Sequence, residues 1–215
     1  MTLEDVFFFL ATLAGWALDI YQWIIIVAIL LTWVNPDPNN PIVRFLNRMT
    51  LPVWNALAAV LPSPLKLFAA YFALLLVWFL KVFVPGCLTA LGEFAAGRMS
   101  ALELPVQFGA YFLLGLGIVL QNFFTFLILL LVIWFFLTLV GPSVNNPIVR
   151  TLYILLDPFL APVQRRLPRM RYDLSPLIVA GMFLLFNVVV VSTLIDYAIR
   201  LTARGLPLRA GAPIF

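Results

Sequence analysis

The chain of 215 residues contains no histidine, one cysteine and few charges. Without histidine it lacks the side chain that most often serves as general base and as metal ligand. A single Cys87 forms neither an internal disulfide nor a thiolate metal site. The acidic residues do not cluster in an apolar stretch, so no nucleophile–base pair, carboxylate pair or metal set is visible. These absences predict a chain that is not an enzyme and carries no cofactor. Charged residues make up 10% and apolar residues 64%, whereas a soluble domain carries roughly 25% charge. The surplus apolar surface is expected to face lipid. The net charge of +4 comes from arginines scattered over loops, which excludes a basic nucleic-acid face. The acidic start, Thr2-Leu3-Glu4-Asp5, lacks the basic region of a cleavable signal peptide.

What is present is long apolar runs and a phrase that occurs twice. Four runs approach or exceed the roughly 20 residues that cross a bilayer: 6–34, 65–84 with Pro85 as its expected stop, 106–140, and 176–199. The third is long enough either to tilt or to break near Gly115 and Gly117. Asn39-Asn40-Pro41-Ile42-Val43-Arg44 recurs as Asn145-Asn146-Pro147-Ile148-Val149-Arg150, 106 residues later, which marks a duplicated unit. The expected architecture is an all-α membrane protein with four spans, arranged as two tandem helix–loop–helix repeats carrying short interfacial amphipathic helices. The first module covers 1–84, a linker 85–105, the second module 106–200, and a polar tail 201–215. An even number of spans per unit makes the duplication parallel. Loops 35–64 and 141–175, counted with Lys66 just past the first, hold eight Lys and Arg against five elsewhere, which predicts that these loops are cytoplasmic.

The chemistry of the repeated phrase is helix initiation. Asn40 and Asn146 are suited to cap a helix, and Pro41 and Pro147 to open it. The residues after Pro41 alternate apolar and polar at helical spacing, which predicts a short helix in the headgroup plane with its apolar face in lipid. Asp157-Pro158 reads as a second start, and Ser175-Pro176 as the cap and opening of the last span. Arg44 and Arg150 suit either headgroup contact or a fixed partner, Asp37 or Asp173. The tract Arg165, Arg166, Arg169 and Arg171 reads as an anchor on anionic lipid headgroups.

Charges inside an apolar run are costly and point to function. Asp19 and Lys81 have similar expected depths and are predicted to pair, the alternative being a wetted position at the far interface. Asp19 plus 106 is Thr125, which is neutral. Asn187 is expected to be a lone polar link between helices, and Gln121 and Asn122 to mark an interface.

On the doubled Asn-Asn-Pro-Ile-Val-Arg phrase, Asp157-Pro158, Arg165-Arg166-Leu167-Pro168 and Asp173-Leu174-Ser175-Pro176-Leu177, the chain resembles the YggT (YlmG-type) family of small integral membrane proteins. Copy one departs from the pattern. It has Thr50-Leu51-Pro52 and Leu61-Pro62-Ser63-Pro64-Leu65, with no basic tract, and its loop reads as the shorter one. The resemblance implies a bacterial inner-membrane or plastid protein, and associations with osmotic-stress tolerance, potassium handling, division or nucleoid organisation, and cytochrome maturation. The expected function is a non-enzymatic membrane scaffold or assembly factor that docks lipid and either a membrane-protein partner or a second copy. The alternative is an oligomeric ion channel or transporter subunit.

Overall fold

The computed structural model describes residues 2–34, 36–140, 146–166 and 173–205, and every regular element among them is helical. Asn145, Arg169, Arg171 and the end of the tail lie outside the described residues. The first helix, α1 (Leu3–Val34), and the fourth, α4 (Leu104–Val140), are continuous, roughly 48 and 55 Å long at about 1.5 Å per residue. Gly115 and Gly117 therefore lie within α4, and Gln121 and Asn122 near its middle rather than at an interface.

The amphipathic α2 (Pro41–Val60) and a 3-10 turn, Ser63–Phe68, lead into α3 (Ala69–Ala95). α3 passes through Pro85 instead of stopping there. Proline takes one N–H out of the ladder and leaves the carbonyl of Lys81 without its helical donor. Packing of α3 along both α1 and α4 holds the helix together across that gap. The connection between modules is thus confined to 96–103. Gly97, at φ +72°, ends α3: its N–H donates to the Phe94 carbonyl and the Arg98 N–H to that of Glu93, both at 3.0 Å.

In the second module α5 (Pro147–Gln164) is the counterpart of α2, and α6 (Ser175–Phe186), a π-helical segment Asn187–Val191 and α7 (Ser192–Gly205) together make the last span. Four helical stretches are long and apolar enough to cross a membrane: Leu3–Val34, Ser63–Ala95, Leu104–Leu139 and Ser175–Thr202. The repeat offset of 106 holds at three helix boundaries around the loops. α1 and α4 end at Val34 and Val140, α2 and α5 begin at Pro41 and Pro147, and α3 and α6 begin at Ala69 and Ser175. The first loop is therefore no shorter than its copy.

The spans stand in the order α1, α3, α4, then α6 and α7. Successive contacts run in opposite directions along α1 and α3: Glu4 to Arg98, Asp19 to Lys81, Trp33 to Tyr71. The modules meet where α3 faces α4, through a reciprocal fit of glycine and aromatic ring. A Cβ on Gly86 would come within 2.3 Å of the ring of Tyr111, and one on Gly115 would lie 3.1 Å from the ring of Phe79. Small residues permit such close approach, which matters where lipid supplies no hydrophobic drive between helices.

α2 and α5 differ in what their apolar faces cover. α2 buries Val43, Leu46 and Thr50, packs on α1 and α3, and leaves Ile42, Phe45 and Met49 exposed. α5 buries Val149, Leu152, Leu156 and Leu160, the last three in one cluster with Ile25 and Ile29 of α1, Ala73 and Val77 of α3, Leu127 and Leu131 of α4 and Val179 of α6. The apolar face of α5 is turned into the protein, not into lipid.

Candidate functional site

The helix starts of the repeated phrase have matching local geometry. Asn40 accepts the Ile42 N–H and Asn146 the Ile148 N–H, each at 2.9 Å. Pro41 and Pro147 follow as the first helical residues. The Asn39 N–H is taken by Asp37. The last span starts differently from the expectation: Ser175 is already helical, and Asp173 accepts its N–H at 2.9 Å. Asp173 also accepts from Gln164 at 2.7 Å, which ties the end of α5 to the start of α6. Ser175 and Pro176 are buried. Asp157-Pro158 is not a new start; both lie inside α5. Arg44 and Arg150 are exposed, as are Arg165 and Arg166, and Asp37 and Asp173 serve backbone and amide groups instead of Arg44 or Arg150.

The intramembrane charges do meet. The Asp19 carboxylate and the Lys81 ammonium form an ion pair between α1 and α3. Asp19 is 15 residues from the end of α1 at Val34, and Lys81 is 12 from the start of α3 at Ala69. Both are thus roughly 20 Å from the same end of the bundle and near the middle of their helices. The side chains remain 47% and 39% exposed, respectively.

The second module repeats this contact in neutral form. Adding 106 takes Asp19 to Thr125 and Lys81 to Asn187, and the Asn187 amide donates to the Thr125 hydroxyl at 3.3 Å. Asn187 is therefore not a lone polar group. The backbone irregularity is repeated as well. The π-helical segment Asn187–Val191 is the counterpart of 81–85, where Pro85 interrupts the ladder of α3. Two carbonyls of the segment accept hydroxyls: Ser192 donates to the Val188 carbonyl, and Thr193 to that of Val189 at 2.6 Å. Each module thus places a polar pair and a break in helical bonding at one point of its second span. The sequence carries this signal in the offset applied to Lys81, which the offset of Asp19 alone does not reveal.

The opposite end is stapled by Arg98, which bonds Glu4 and Glu93 together. Beside it, Glu103 accepts the Ser100 N–H at 2.7 Å and its hydroxyl at 2.9 Å. The backbone N–H contributes most to holding the Glu103 carboxyl below the usual carboxylate range, and the hydroxyl adds to it. Among the described residues no group of three or more acidic or cysteine side chains is arranged to hold a metal ion.

These features define a multi-pass helical membrane protein built from two tandem helix–loop–helix modules. A family model described as CCB3/YggT matches residues 7–88 and again 113–194, the same 106-residue offset, and the chain belongs to this family. No curated protein and no solved structure gave a match.

Proposed function

We propose that the protein is a non-enzymatic scaffold or assembly factor of the bacterial inner membrane, with loops 35–64 and 141–175 on the cytoplasmic side. The observation that supports this most is the half-exposed Asp19–Lys81 pair at mid-span. An ion pair facing hydrocarbon is costly by a few kcal/mol, and a partner helix laid over α1 and α3 removes that cost. Beside the pair, α1 presents Leu13, Trp16, Ile20, Trp23 and Val27 outward at alternating spacings of three and four residues, the spacing of a helix-packing face. Family membership supports a setting in osmotic-stress tolerance and in envelope or division processes. The experiment is purification in mild detergent followed by mass measurement. A defined homo-oligomer or a stoichiometric membrane partner is expected, and Asp19→Ala with Lys81→Ala together should weaken it. A strictly monomeric, partner-free particle overturns the reading.

The same ionisable pair supports a second reading, an ion-conducting oligomer. Potassium flux into proteoliposomes that disappears in Asp19→Asn would favour it over the scaffold.

A further inference from the structure

Two cavities adjoin at the end of the bundle that carries α2 and α5. The first, about 450 Å³, opens between α2, the 3-10 turn, the start of α3 and α5. Its polar lining includes Lys66, Asn55, Thr32 and Thr151, and Trp54 adds a ring. Lys66 is the one charged residue among the described residues that line this cavity.

The second cavity, about 200 Å³, is lined almost wholly by apolar side chains. It shares Phe68, Tyr71 and Leu155 with the first. From there it runs between α3 and α4 as far as Trp78 and Phe123. Phe68 to Trp78 is ten residues, roughly 15 Å toward the middle of the spans.

A chamber with a cation and hydrogen-bonding side chains near the ends of the spans, beside an apolar slot that reaches toward their middle, matches one kind of ligand. We propose that this crevice is a binding site for an anionic phospholipid. Its phosphate sits with Lys66 and Asn55, and one acyl chain lies along Tyr71, Leu75 and Trp78. A soluble phosphate would leave the slot empty, and a zwitterionic lipid would bring a second cation to Lys66. The site does not depend on the scaffold reading, since a monomer would hold the lipid equally well.

The test is native mass spectrometry of the full-length protein in detergent, with phosphatidylglycerol, phosphatidylcholine or glycerol 3-phosphate added. One phosphatidylglycerol should be retained in preference to phosphatidylcholine. Lys66→Gln should lower its affinity about fivefold, and Asn55→Asp, which sets an anion at the exposed mouth, should do at least as much. Leu75→Trp, which fills the slot, should displace both lipids. Equal retention of the two lipids by the parent and Lys66→Gln proteins overturns the proposal. So does full competition by glycerol 3-phosphate, which would make the chamber a soluble-anion site.

Discussion

Asp19 and Lys81 sit near the middle of their helices, where an unpaired charge costs most. Their pairing makes each residue the condition for the other. Asp19→Asn or Lys81→Met alone leaves one charge without a partner, whereas the double substitution removes both. We expect a coupling of about 1 kcal/mol or more in a double-mutant cycle read by thermal unfolding in detergent, and additive losses would contradict the pair. The repeat extends the experiment: Thr125→Asp should destabilise, and adding Asn187→Lys should recover much of that loss. These charges are legible in the sequence because any charge stands out in an apolar run. Thr125 is not, since threonine is unremarkable in a membrane helix, where its hydroxyl can bond its own backbone. Glu103 titrates differently. Its proton is bound more weakly in the folded than in the unfolded chain, so its support for the 96–103 connection is complete above the ordinary carboxylate range, roughly pH 4, and is lost as pH falls through the depressed value. Hydrogen exchange at the Ser100 amide, corrected for intrinsic rate, should gain protection as pH rises through that range, and Glu103→Gln should abolish the dependence.

At the level of elements, the caps are written plainly in the sequence because asparagine followed by proline has one strong local meaning. Asn146→Ala should cost about 1 kcal/mol and fray the start of α5. Pro85 and Pro158 are harder to read. In water either would end a helix, but here α3 and α5 are held by packing on neighbouring helices, and freed carbonyls in a membrane protein are re-satisfied locally. The contact between α3 and α4 is also invisible from periodicity, since both helices are apolar all round. It rests on Gly86 and Gly115. Gly86→Val must push Tyr111 aside, and an overpacking loss of about 1–3 kcal/mol is expected, measured as a lower melting temperature.

For the whole molecule, four spans and a twofold repeat follow from composition and the doubled phrase. The unequal treatment of α2 and α5 does not, because both have the same start and the same amphipathic pattern. Which apolar face meets protein depends on how the modules pack, and that is not a local property. The energetic contrast is testable. Leu156→Ala, at a site with 0% exposure, should cost about 2–5 kcal/mol, while Ile42→Ala on the open face of α2 should cost no more than about 0.5 kcal/mol. Unfolding monitored in the same detergent separates the two.

The seat of α5 also sets an order of events during synthesis. α1 and α3 leave the ribosome first, yet the core cluster that holds their Ile25, Ala73 and Val77 is completed by Leu152, Leu156 and Leu160 of α5, about eighty residues after Val77. The first module therefore waits in the bilayer with an open seam. The seam closes only when the second copy of the loop arrives, so the halves of this duplicated chain, alike in plan, depend on each other for completion.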